Sequence, residues 1–211
     1  MIHELRTYTV TQGSLPEVIR NSGTVSRGIR GDNYGKLEGY WSTEIGPLNQ
    51  VVHLWTYTDL NERARLRAEL AKNERWVKEY VPLNRAIMVR QEIRLLNPVV
   101  GPVAPAGSPN VYELRNYRTK PGAVRQWAGL MQKTLPVREK YSKIVGLWIT
   151  DAGQPNEVCH IWAYKDLNHR AQVRAQAVKD PEWQAFLQES APLLDEMHAT
   201  IMLPASHSPM K

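Results

Sequence analysis

Apolar and polar positions alternate along IHELRTYTV, residues 2–10, with Glu4, Arg6 and Tyr8 on the face opposite Leu5. That period of two marks a pleated strand. It returns at residues 110–118, where Glu113, Arg115 and Tyr117 oppose Leu114. KLEGYWST (36–43) and QVVHLWTYT (50–58) read as two further strands turning at Gly46-Pro47; KIVGLWIT and EVCHIWAYK repeat them around Gly153. Helices are predicted after Gly13-Ser14 and Pro121-Gly122, where serine or proline suits a first turn. Asp59 and Asp166 are the expected caps of a second helix in each half, with Glu62 completing a capping box. These helices are expected to break near Asn73 and near Asp180-Pro181, and final strands near 86–95 and 197–203 close each unit.

The two halves are copies. Laying residues 36–76 over 143–183 pairs 19 identical residues in 41 positions, among them Gly39, Trp41, His53, Trp55, Tyr57, Asp59, Arg63, Arg67 and Trp76. Between the copies lies NPVVGPVAPAGSPN, whose prolines and glycines suit a connector. The predicted organisation is a first repeat over 1–96, a linker over 97–109, a second repeat over 110–204 and a tail over 205–211. Each βαββαβ unit is a ferredoxin-like arrangement with helices on one face of its sheet. One such sheet leaves its other face bare, so the fold class expected is α+β: two tandem repeats packed sheet-to-sheet as a dimeric α+β barrel.

Strand geometry then sorts side chains by face. Val51, His53, Trp55 and Tyr57 share one side of their strand, and Val158, His160, Trp162 and Tyr164 repeat the set. The smaller apolar set beside them (Val52 and Leu54; Cys159, Ile161 and Ala163) suits contact with helices. The polar-tipped rows are therefore expected to face the barrel lumen. Candidate ligand-binding residues are Glu4, Arg6, Tyr8, Trp41, His53, Trp55 and Tyr57 with their twins Glu113, Arg115, Tyr117, Trp148, His160, Trp162 and Tyr164. Aromatics with a few fixed polar groups line sites for small organic molecules. The same residues could form a hydrogen-bonded network that only fixes the packing, and the pattern leaves both readings open. His53 and His160 are the candidate acid–base residues.

Composition narrows the choice. A net charge of +6 and a pI near 9.5 invite a nucleic-acid partner, but the bases alternate with acids, as in ERARLRAELAKNERWVKEY, like a solvated helix face. No nucleic-acid partner is expected. No metal is expected, since neither histidine has a second ligand at coordinating spacing, and no cofactor motif occurs. The lone Cys159 in an apolar run fits a buried thiol in a reducing compartment. With no apolar run of membrane length and a strand already at the N-terminus, a cytoplasmic protein without membrane contact is expected. SRGIRGDNYGK (26–36) reads as a loose helix exit or a lid over the barrel mouth.

LRTYTVTQG, then GYWSTEIGPLNQVVHLWTYTDLNERARLRAEL, resembles the NIPSNAP family, as does GLWITDAGQPNEVCHIWAYKDLNHRAQVRA in the second copy. The resemblance implies the dimeric α+β barrel superfamily, with both copies in one chain. That superfamily includes cofactor-independent monooxygenases and haem-related enzymes, while the family itself has no agreed catalytic motif. Animal relatives are mitochondrial and linked to vesicle transport and mitophagy signalling. Three functions follow as expectations: small-molecule binding in the lumen, an enzyme of the monooxygenase or haem type, or a protein-interaction module. A homo-oligomer is left open.

Overall fold

The computed structural model describes every residue except Pro109, so that one position of the expected linker lies outside the described residues. Among the described residues eight strands form: β1 (Ile2–Val10), β2 (Lys36–Ile45), β3 (Gln50–Tyr57), β4 (Met88–Val100), β5 (Val111–Thr119), β6 (Ile144–Ala152), β7 (Glu157–Tyr164) and β8 (Leu194–Pro204). They close a barrel in the order β1-β3-β2-β8-β5-β7-β6-β4, with every pairing antiparallel. Each repeat supplies a four-stranded sheet, and the β2–β8 and β4–β6 ladders join the two sheets edge to edge. Closure satisfies backbone groups that two separate sheets would leave open at their edges.

Helices cover the outside of the barrel. In the first repeat α1 (Leu15–Asn21) runs through a π-helical turn (Ser22–Ser26) into α2 (Arg27–Arg30). Next, α3 (Leu60–Lys72) ends at Asn73, and a second π-helical turn (Trp76–Tyr80) leads into α4 (Val81–Arg85). The second repeat has α5 (Val124–Arg138), α6 (Leu167–Ala177) and α7 (Pro181–Ser190). Asp59 and Asp166 cap α3 and α6 by accepting the backbone N–H of Glu62 (2.8 Å) and His169 (2.7 Å). The Glu62 carboxylate takes the N–H of Thr58 instead of the cap residue, one position off the expected box. None of these helices is long and apolar enough to cross a membrane.

Two boundaries differ from expectation. Strand β4 continues through Asn97 and Pro98 to Val100 and pairs with β6, so the start of the linker joins the sheets. The C-terminal segment is also built in. Ala205 N–H donates to the Tyr40 carbonyl (2.9 Å), Ser208 Oγ accepts from Tyr40 N–H (2.9 Å), and Met210 packs into the barrel interior.

The face assignment of the His-Trp-Tyr rows is reversed. One core cluster holds Leu5, Val52 and Leu54 together with Leu114, Cys159 and Ile161 from the other repeat, so the small apolar set fills the barrel. Val51, Trp55 and Tyr57 pack with Val18 of α1, and Val158, Trp162 and Tyr164 pack with Trp127 of α5, beneath the helices. The cause is volume. An eight-stranded barrel leaves an interior just wide enough for side chains to fill, and with Trp41, Tyr112 and Trp148 already inside, only the small apolar set of β3 and β7 fits beside them. The large, polar-tipped set needs the deeper space between sheet and helices.

Trp41 and Trp148 do face the interior, on the opposite side of the sheet from the histidines. Across the ladders Trp41 stands opposite Val52 while Tyr40 stands opposite His53. Each luminal indole lies over the glycine two residues earlier. A Cβ on Gly39 would stand 2.1 Å from the Trp41 ring, and one on Gly146 would stand 2.3 Å from Trp148. The duplicated Gly-x-Trp is therefore a packing unit. Trp148 donates its indole N–H to His3 Nδ1 (3.2 Å), a luminal contact between repeats.

Candidate functional site

The space under each repeat's helices holds a cavity. The first measures about 420 Å³ and is walled by β1, β3 and the two π-helical turns. The second measures about 190 Å³ and is walled by β5, β7, α5 and α7. Of the predicted residues, Arg6, Tyr8, His53 and Trp55 line the first cavity, and Arg115, Tyr117, His160, Trp162 and Tyr164 line the second. Glu4, Tyr57 and Glu113 lie behind these walls. Trp41 and Trp148 are on the far side of the sheet.

The carboxylates are occupied within the fold. Glu4, fully buried, accepts from Arg6 Nη1 (2.7 Å) and from Arg63 of α3. Glu113 accepts from Arg115 (2.8 Å), Arg170 (2.5 Å) and Tyr164 (3.2 Å). Burial alone would raise both carboxyl pKa values, yet the surrounding guanidinium groups hold them below the ordinary value. Arg63 and Arg170 come from the duplicated DLN-x-RA stretch. That stretch thus caps its helix with the aspartate and clamps it to β1 or β5 with the arginine.

The histidines are fixed by their tryptophans. Trp55 Nε1–H donates to His53 Nδ1 (2.5 Å), and Trp162 Nε1–H donates to His160 Nδ1 (2.7 Å). An indole nitrogen can only donate, so Nδ1 must accept. Burial, reinforced by the Arg6, Arg30 and Arg67 charges, pushes the His53 pKa well down. Burial, with Arg115, brings His160 down to about 3. Both rings are then neutral, with the proton on Nε2. Each histidine thus carries an Nε2–H donor and no basic lone pair.

The two sites differ in how that donor is covered. Trp127 of α5 packs on His160 with ring centroids 5.6 Å apart, and His160 Nε2 is buried without a partner. In the first repeat Val18 stands in place of Trp127, because α1 and α5 align at an offset of 109. Tyr40 stacks on His53 instead (5.1 Å, 13°), and Nε2 stays accessible from the cavity. The Tyr40 hydroxyl meets Ser22 Oγ (2.9 Å), which also meets the Tyr80 hydroxyl (3.2 Å). Ser22 and Tyr80 belong to the π-helical turns, a local widening that turns side chains towards a site.

Several wall residues escaped the sequence reading. Arg30 lies over the Trp55 ring at 3.5 Å, and Arg138 lies over Trp162 at 4.7 Å. These arginines are equivalents hidden by a change of alignment offset between the helices. Arg67 was visible as a repeat identity. His207, from the segment read as a tail, sits 4.5 Å from the Tyr40 ring. The 26–36 segment is the α2 exit, and its Arg30 is buried.

The NIPSNAP family profile matches residues 3–101 and 112–209, one match on each repeat. The chain belongs to the NIPSNAP family. Mouse NipSnap homolog 3B is 30% identical over 215 residues, covering 99% of this chain and 85% of that protein. Two solved structures share the whole fold at low identity. A monooxygenase candidate from Lactobacillus acidophilus has a TM-score of 0.71 at 14% identity, covering 97% of this chain and 94% of its own. Another from Fusobacterium nucleatum has a TM-score of 0.72 at 11% identity, covering 100% and 97%. These likenesses establish a dimeric α+β barrel made from two NIPSNAP repeats.

Among the described residues, no three His, Cys, Asp or Glu side chains are grouped to hold a metal ion. Haem, which the family resemblance brings into view, fits His53 and His160 poorly. An axial imidazole needs a bare nitrogen, and in His53 and His160 one nitrogen accepts from tryptophan while the other carries the proton. His198 is exposed on β8 beside Glu196.

Proposed function

We propose that this NIPSNAP protein binds a small organic molecule in the cavity between the sheet and helices of its first repeat. The observation that carries the reading is the asymmetry between the repeats. Both hold a histidine with its Nε2–H presented, but only the first leaves that donor open to a cavity of about 420 Å³. Aromatic walls with a few fixed polar groups are the usual make-up of such sites. The lumen reading is replaced, because the barrel interior is packed with side chains.

Binding is favoured over proton-abstracting catalysis by the chemistry of the walls. No aspartate or glutamate lines the cavity, His53 has no free lone pair, and the other lining imidazole, His207, whose ring nitrogens have no hydrogen-bond partner, is lowered by burial to about 4 and is a weak base. The Trp55 indole N–H is a direct reporter, since it is bonded to His53. A fragment library screened by nitrogen–proton NMR is expected to move the Trp55 indole signal and leave those of Trp41 and Trp148 in place. Fragments that move only the luminal indoles, or none at all, would refute the reading.

A further inference from the structure

The first cavity concentrates positive charge that the fold does not neutralise. Arg30 is 4% exposed, yet it has no carboxylate partner among the described residues. Its Nη2 donates to the Tyr34 carbonyl (2.6 Å) and to the Tyr57 hydroxyl (3.2 Å), while its Nε is buried without an acceptor. Arg67 also lines the cavity and makes no ion pair among the described residues. Arg6 shares its only acid, Glu4, with Arg63. Arg6, Arg30 and Arg67 line the same cavity as His53, whose Nε2–H adds a fourth donor. A buried charge without a counter-charge is costly, and here the missing partner is an anion.

We infer that the ligand of this cavity is a planar aromatic carboxylate, its acid group held by Arg30, Arg67 and His53 Nε2–H. The inference rests on the small-molecule reading above and adds the charge and shape of the ligand. Three features select a flat ring system. Trp55 already stacks one guanidinium on its face, Tyr40 lies parallel to His53, and Trp76 and Tyr80 form another aromatic wall. On size, an apolar cavity of about 150 Å³ holds benzene, so about 420 Å³ accommodates two rings and a carboxylate.

The test uses 1-naphthoate and its neutral analogue 1-naphthamide, titrated into the full chain by calorimetry and followed at the Trp55 indole. The acid is expected to bind at least tenfold more tightly than the amide. Arg30→Met should cost tenfold or more in naphthoate affinity while the melting temperature holds or rises, because an unpaired buried charge has been removed. Arg67→Gln, at a half-buried position, should weaken the acid several-fold with native stability and leave the amide unchanged. Equal binding of acid and amide would overturn the carboxylate assignment and leave the small-molecule reading standing. Binding of neither probe, with no response from the fragment library, would overturn both. Unaltered naphthoate affinity in both arginine variants would also overturn the assignment.

Discussion

His53 shows how one hydrogen bond decides the chemistry of a residue. A histidine beside arginines and tyrosines reads as an acid–base group until its partner is known; the Trp55 indole then fixes the tautomer and removes the base. Buried neutral histidines also make stability depend on pH. Burial lowers His3 to about 4 and His160 to about 3, against 6.5 for the free side chain. Between about pH 6.5 and 4 the unfolded chain takes up protons that the folded chain excludes, so stability falls as the solution is acidified. Each such histidine contributes up to about 1.4 kcal/mol per pH unit across that window. Urea unfolding at pH 7.0 and 4.5 is expected to show a smaller acid loss in His160→Gln than in the parent chain. An equal loss would assign the effect to other groups.

Elements differ where the repeats have diverged. Strands β1 and β3 match β5 and β7 closely, whereas the helices above them carry Val18 against Trp127 and π-helical turns against regular helix. The sheet keeps the histidine and its tryptophan, while the helices set how much room lies above them. Trp127→Val is accordingly expected to cost about 3 kcal/mol, in the range for deleting a buried aromatic. It should also enlarge the second cavity and expose His160 Nε2. Calorimetry would then detect a second equivalent of a fragment that binds the parent chain once. A single equivalent with the same loss of stability would mean that the neighbouring side chains collapse into the space.

Closure of the barrel governs the whole molecule. The halves are linked through exposed residues around Ala106 and Gly107, but they are held together by the β2–β8 and β4–β6 ladders and a shared interior. Cleavage of the chain between Ala106 and Gly107 is therefore expected to leave one folded particle. Limited proteolysis followed by size-exclusion chromatography checks this: two fragments should co-elute natively and separate in denaturant. Separation under native conditions would mean that the connector is needed to hold the repeats together.

The strand periods, the aspartate caps and the 107-residue repeat identified βαββαβ twice and a barrel made from both. Local pattern is enough there, because pleating and capping depend on neighbours a few residues apart. The chain also marked the polar residues that β1, β3, β5 and β7 contribute to the two cavities, since period two keeps them on one face. Which face points inward was beyond it: alternation is symmetric, and only the narrowness of an eight-stranded interior sends the small side chains in and the histidines out beneath the helices. Tertiary structure likewise brought Arg30, Tyr40, Tyr80 and His207 to His53 from four separate segments, and used the 97–100 and 205–211 stretches to complete the barrel. Such contacts join positions far apart in the chain, where closeness in space leaves no trace in spacing.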